Sequence, residues 1–251
     1  MKHKRNHTIT LIISLSVIVV FSVIFSQIQY KNTNASVDPR VVNARELYQF
    51  YNTYSRQNNL DSVFILMDSI ESIYATIDHY KDAFEIGVLD NNRAAAWLTI
   101  ALYSEFRDST EKDSIIGLAE EAARKSISCH EEWKASFGSL SKEDIKKKIS
   151  DSFVPGLAKY SPEDQEKYLN NRIEEIIESQ VEIDRRLSVS LTNLGIVYRY
   201  RTLYDSAATC YVKALELWDR NYTAEDNLNL LLGNPIKKRN AIQRLLPPDR
   251  I

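Results

Sequence analysis

Side chains able to do chemistry are few in this chain, and their spacing is poor. The tightest group is Cys129-His130-Glu131-Glu132, which brings a thiol, an imidazole and two carboxylates into four consecutive positions. A metal site needs donors that converge on one point, whereas adjacent residues of a helix point apart, and no second Cys/His pair completes a ligand set. The group reads as a chance cluster at the surface. Cys129 and Cys210 are the only cysteines. Their spacing suits a disulfide in an oxidising compartment and two buried thiols equally well. Glu120-Glu121 and Glu174-Glu175 are paired acids on otherwise polar helix faces, and they read as solvated, although a catalytic carboxylate pair can also be assembled from distant segments. His3 and His7 precede an apolar segment, which leaves His79 and His130. No Gly-rich phosphate loop, His-Glu-x-x-His or Gly-x-Ser-x-Gly motif is present. The expectation is a protein that is not an enzyme and holds no metal or cofactor.

The elements that would carry a binding function are better marked. With 26% charged and 44% hydrophobic residues but only six Gly and six Pro in 251, the chain favours long helices over many short strands. A net charge of -2 argues against nucleic acid as a partner, because no basic excess is available to neutralise phosphates. Residues 9–28, ITLIISLSVIVVFSVIFSQI, carry no charge and as a helix span about 30 Å, the thickness of a bilayer's hydrocarbon core. Lys2, Lys4 and Arg5 precede them, so the positive-inside rule leaves residues 1–8 as a cytoplasmic tail and puts the remainder across the membrane, in the periplasm if the source is bacterial. An uncleaved single-pass signal anchor is the first reading, and a cleaved signal peptide releasing a secreted or periplasmic domain is the alternative. No cysteine follows the segment to carry a lipid. Residues 29–39 form a polar linker, 40–233 a helical domain, and 234–251 a basic tail.

Within that domain, LTNLGIVYRYRTLYDSAATCYVKALEL (191–217) carries apolar residues at helical spacing in two runs separated by Tyr204-Asp205-Ser206. Gly195 and Ala207 are small where two helices must approach closely, and Tyr198 and Tyr211 are large enough to fill space beside them. With Leu194, Gly195, Tyr198, Ala207, Tyr211 and Ala214 in place, the segment resembles a tetratricopeptide repeat. Asp219 stands where that family usually has Pro, and Leu191 where it prefers Trp. A shift of 144 positions lays 191–217 on 47–73 without a gap, Leu194 on Phe50, Tyr198 on Tyr54 and Asp205-Ser206 on Asp61-Ser62. Tyr51, Val63 and Ile70 replace Gly195, Ala207 and Ala214, which predicts a wider hairpin. A further copy lies between, with a first helix over 91–106 and a second opening at Asp113-Ser114. Repeats are thus expected at about 44–77, 91–128 and 188–221, with a helical insertion at 129–187 and a capping helix at 223–232.

All three second helices are expected to open on Asp-Ser, where an acid or hydroxyl can satisfy free backbone N–H groups. The same Asp-Ser-apolar triplets at Ser62, Ser114 and Ser206 also resemble acceptor sites of a bacterial O-glycosylation system. In the insertion, Ser141-Lys142-Glu143-Asp144 and Ser161-Pro162-Glu163-Asp164 read as helix starts. The second begins one very long helix, or two nearly continuous ones, reaching about Tyr200.

The resemblance implies an all-α, tetratricopeptide-like solenoid of helical hairpins behind a transmembrane helix, with first helices lining a concave groove. Carried over by position, the groove residues are Val189, Thr192, Ile196, Arg199 and Tyr200 in the last repeat. The shift of 144 gives Arg45, Tyr48, Asn52, Ser55 and Arg56 in the first. The expected function is a membrane-anchored scaffold or adaptor for a protein or peptide partner. The alternative is a small-molecule or glycan receptor with a deep pocket lined by Trp97, Trp133 and Tyr103, and the basic tail reads as solvated.

Overall fold

A computed structural model describes residues 36–106 and 108–239. Among the described residues every regular element is helical: α1 (Val42–Arg56), α2 (Leu60–Ala75), α3 (Phe84–Tyr103), α4 (Ser109–Phe137), α5 (Lys142–Phe153), a 3-10 turn (Pro155–Leu157), α6 (Pro162–Tyr200), α7 (Tyr204–Leu217) and α8 (Tyr222–Leu231). None of these helices is long and apolar enough to cross a membrane, and the apolar segment 9–28 lies outside the described residues.

Chain neighbours pair as helical hairpins, α1 with α2, α3 with α4, and α6 with α7, and α8 covers the last of them. The 144-residue offset in sequence is reproduced in the backbone. Helix α1 ends at Arg56 and α6 at Tyr200, α2 begins at Leu60 and α7 at Tyr204, and each pair differs by that offset. The bonds that close the two turns correspond. Asn58 N–H donates to the Ser55 carbonyl as Thr202 N–H does to that of Arg199, and Asn59 N–H donates to the Tyr54 carbonyl as Leu203 N–H does to that of Tyr198. Asn58 (φ 56°) and Thr202 (φ 59°) both turn through the left-handed region, which Asn tolerates and a β-branched residue resists.

Helix α6 explains why the three hairpins cohere. Ser161 accepts from the Asp164 N–H, Pro162 occupies the first helical position, and Glu163 and Asp164 sit in the first turn against the positive helix end. No proline interrupts the helix, so it runs as one rod of 39 residues, about 58 Å. Its first half packs Leu169, Ile173 and Ile176, with Ile183 just past the midpoint, into the main core with Met67 and Ile70 of α2 and Ile145, Ile149 and Phe153 of α5. The second half meets small residues instead. Leu194 packs with Ala94, Ala122, Ala123 and Cys210, and Gly195 faces Tyr211 so closely that a Cβ there would lie 2.5 Å from the ring. The large tyrosine therefore fills the hollow left by the missing side chain directly.

Three local expectations need correction. Helix α3 starts at Phe84, seven residues ahead of the expected 91, because Glu85 and the apolar Ile86, Val88 and Leu89 extend the helical pattern backward. Helix α4 starts at Ser109 and is capped by Asp108, which accepts from the Thr110 and Glu111 N–H groups. Asp113-Ser114 consequently lies inside α4 and caps nothing. The Asp-Ser pairs do fall in the first turns of α2 and α7, yet Asn59 supplies the cap of α2 and α7 has no side-chain cap. Ser62 is half-buried, and Ser114 and Ser206 are exposed.

Candidate functional site

Sequence reasoning placed the paired acids in solvent, but Glu175 belongs to a largely buried ion-pair network. Arg172, only 3% exposed, donates from Nη1 to Glu85 Oε1 (2.6 Å) and Glu175 Oε2 (3.1 Å), and from Nη2 to Glu85 Oε2 (3.2 Å). Its Nε donates to His79 Nε2 at 3.1 Å, and the guanidinium lies 4.4 Å above the Tyr80 ring. Glu175 also accepts from Arg45 (2.5 Å) and Asn171 (2.6 Å). Burial by itself would raise the Glu85 carboxyl, but the charge of Arg172 and its hydrogen bonds outweigh this and hold it below its ordinary value. His79 is pushed down to about 4 by burial and then by the adjoining Arg172, so it is a neutral acceptor. The network ties α1, the α2–α3 turn, α3 and α6 together, and with every charge matched it reads as structural.

Cys129 and His130 are not a surface cluster. His130 is fully buried, within hydrogen-bonding reach of Ser126, and Gly87 gives it room. Burial lowers it to about 4. Cys129 is half-buried, with its thiol toward the Ala83 carbonyl, and burial pushes it up to about 11. The Cys129 thiol is thus not prepared as a nucleophile, since a reactive cysteine has its thiol lowered. Among the described residues no group of three or more potential ligands could hold a metal ion. Cys129 and Cys210 are both free thiols.

Two adjoining clefts on the inner side of α6 are more informative. The first, of about 490 Å3, is lined by Tyr48, Tyr51, Asn52, Ser55 and Arg56 of α1, Asn91 and Asn92 of α3, Arg185, Arg186, Val189, Thr192 and Asn193 of α6, and Asn221 and Thr223 at the start of α8. It holds five side-chain amides, three guanidinium groups and no carboxylate. The second, of about 380 Å3, shares Tyr48 and Arg186 with the first and adds Arg45, the aromatic rings of Tyr74 and Phe84, and Glu85, Glu175, Glu178 and Glu182. Amides and arginines thus give way to rings and carboxylates along the same helix.

Of the ten residues carried over by position, Tyr48, Asn52, Ser55, Arg56, Val189 and Thr192 meet in the first cleft and Arg45 lines the second. Thr192 is buried and serves as backing, accepting a hydrogen bond from Asn221. Ile196, Arg199 and Tyr200 line neither cleft. Ile196 packs in the core, Arg199 donates to Asn227, and Tyr200 receives Lys112 over its ring. Asn91, Asn92, Arg185, Arg186, Asn193 and Asn221 went unseen. Asn91-Asn92 read as the start of a helix that in fact begins about two turns earlier, and Arg185-Arg186 lay in a segment read as insertion.

A third cleft of about 570 Å3 opens between the α2–α3 turn and α4, lined by His79, Trp133, Phe137 and Arg172 among others. Trp97 and Tyr103 are elsewhere: Trp97 stacks on Phe64, and Tyr103 is 83% exposed. No protein-family model matches this chain, and no curated protein shows significant similarity to it.

Proposed function

We propose that this chain is a non-catalytic scaffold of tetratricopeptide type, a solenoid of helical hairpins that holds a segment of a partner protein in the groove along α6. The apolar run at 9–28 acts as its membrane anchor and leaves the helical domain outside the cytoplasm. The observation that carries the reading is the composition of the first cleft. Asn52 is exposed with its whole amide open, and Asn92 and Asn193 present their carbonyl oxygens, groups that an extended backbone can match, while Asn91 and Asn221 hold the cleft wall through bonds to Ser190, Asn193, Ser188 and Thr192. Arg56, exposed and with no carboxylate among the residues lining that cleft, favours a segment bearing an acidic group, whereas Arg185 and Arg186 already share Glu182. The matching helix ends and turn bonds of the α1/α2 and α6/α7 hairpins support the repeat reading.

The test is a pull-down from solubilised membranes with the full chain and an Arg56→Glu, Asn193→Asp variant, both positions lying at the cleft surface. A protein retained by the first and lost by the second supports the reading. Equal retention of every protein counts against it. Exclusive recovery of the wild-type chain in the soluble fraction after alkaline washing removes the anchor. A receptor for a small molecule or glycan is the second reading, supported by the third cleft, where Trp133 and Phe137 line the same cavity as Arg172. It requires a saturable rise in melting temperature with such a ligand, abolished by Ser136→Trp, which fills the cavity wall.

A further inference from the structure

Two residues of the third cleft, Trp133 and His79, carry N–H groups that the fold leaves open. Trp133 of α4 is only 3% exposed and packs against Phe84 and Phe137, so the edge of its indole is what remains to face the cleft. Its Nε1–H donates to nothing among the described residues, yet it is not enclosed and keeps contact with solvent. An indole nitrogen can only donate. His79, half-buried in the α2–α3 turn, is held in one tautomer: Arg172 can only donate, so Nε2 accepts and the proton sits on Nδ1. That second N–H likewise meets no acceptor among the described residues and is not enclosed. Donors on buried residues are normally paired, so two of them in the wall of one cleft point to an oxygen acceptor that comes from outside.

The charges around the cleft decide what kind of oxygen. Every lysine and arginine in its wall is already held, Lys81 by Asp78 (3.0 Å), Lys125 by Glu121 (2.9 Å) and Arg172 by Glu85 and Glu175. Among the carboxylates, Asp82 is exposed without a hydrogen bond or ion pair, and Glu132 accepts only from Ser128. A carboxylate or phosphate ligand would therefore meet free acids and no free cation. A simple amine would satisfy the acids and leave both N–H groups unmet. A hydroxyl does both, accepting from an N–H and donating to a carboxylate. The cleft, at about 570 Å3, lies within the ordinary range of about 300–1,000 Å3 for a small-molecule site. We infer that it binds a neutral polyhydroxyl ligand, a sugar of one or two rings, with Trp133 and His79 donating to its oxygens and Asp82 and Glu132 accepting from its hydroxyls. The inference rests on the receptor reading above and deepens it. The cleft shares no lining residue with the two on the inner side of α6, so the groove reading is untouched by it.

The experiment uses the full chain, labelled with nitrogen-15 at its three tryptophans, in a detergent without sugar headgroups. The indole N–H resonance of Trp133 is assigned by its loss in Trp133→Phe, and glucose, galactose, mannose, N-acetylglucosamine, maltose and lactose are titrated in turn. At least one sugar is expected to move the Trp133 proton downfield in a saturable way while Trp97 and Trp218 stay in place. Asp82→Ala, at an exposed and unpaired position, should weaken that sugar about tenfold or more, with folding checked by circular dichroism. Saturable movement with acetate or glycinamide and with no sugar overturns the inference and leaves the receptor reading standing, as does an Asp82→Ala variant that binds the sugar unchanged. No movement with any probe leaves water as the partner of both N–H groups, and the inference and the receptor reading fall together.

Discussion

Acid should loosen this fold well before its carboxylates titrate, through two imidazoles that the structure holds neutral. His79 accepts a hydrogen bond from Arg172 Nε, so a proton on its Nε2 removes that bond and sets two cations about 3 Å apart. His130 is enclosed between Gly87, Phe84 and Ser126. Both are lowered from an ordinary 6.5 to about 4. A folded-state value below the unfolded one means that the unfolded chain takes up protons first. The stabilisation is therefore complete above pH 6.5 and is lost as pH falls toward 4. At 1.36 kcal/mol per pKa unit, each imidazole forfeits about 2 kcal/mol by pH 5 and roughly 3 kcal/mol once fully titrated. Together they amount to a large part of a typical domain stability of about 5–15 kcal/mol. Urea denaturation followed by circular dichroism at pH 7.5, 6.0 and 5.0 measures the slope. His79→Gln, which keeps an acceptor for Arg172, and His130→Gln should each remove about half of it, and the double variant should be nearly flat above pH 5. An unfolding free energy that does not change between pH 7.5 and 5.0, or a slope that both substitutions leave intact, refutes the reasoning.

Arg172→Met should cost about 3–5 kcal/mol because Glu85 and Glu175 lose their shared cation. Adding Glu85→Gln should recover much of that loss in a double-mutant cycle read by urea midpoints. Gly195→Ala sets a gain in helix propensity of about 1 kcal/mol against an overlap with the enclosed Tyr211 ring. Because that ring has no room to yield, a net loss of about 1–2 kcal/mol is expected, seen as a lower melting temperature. Thr202→Asn places at the second hairpin turn the residue type that the first turn already has, and should stabilise by about 1 kcal/mol by easing the left-handed backbone. Asn59→Ala and Asp108→Ala should each cost about 1 kcal/mol, whereas Asp113→Ala, inside α4, should change thermal stability by less than half of that.

What the amino-acid order disclosed was mostly local. The 144-residue offset matched the two hairpin turns to each other, although the expected break at Tyr204-Asp205-Ser206 is the first turn of α7 and the turn itself is Arg201 to Leu203. Ser161-Pro162 located the start of α6, because turns and caps depend on residues within a few positions of one another. The α3 boundary was missed because Phe84 to Asp90 mixes apolar, acidic and Gly residues, and its helical state is settled by packing against His130 and Trp133. Pairing was the least legible property. Nothing near Arg172 in sequence announces Glu85 or His79, which lie 87 and 93 positions away. For the same reason Glu175 looked like one of two solvated acids. The clefts were half visible: a helix-face argument finds Tyr48, Asn52, Arg56 and Val189, but only the fold brings Asn91 and Asn221 opposite them.

The described chain begins with an anchorage of its own. Val37, Asp38 and Val41 are buried, Asp38 grips Arg40 through its guanidinium, and Arg40 lies 4.7 Å above Phe153 at the end of α5. A pull on the amino-terminal side would therefore not peel α1 away one turn at a time. Tension would reach α5 and the root of the long rod as a sideways load shared by many contacts at once, the arrangement of a clamp rather than a zipper.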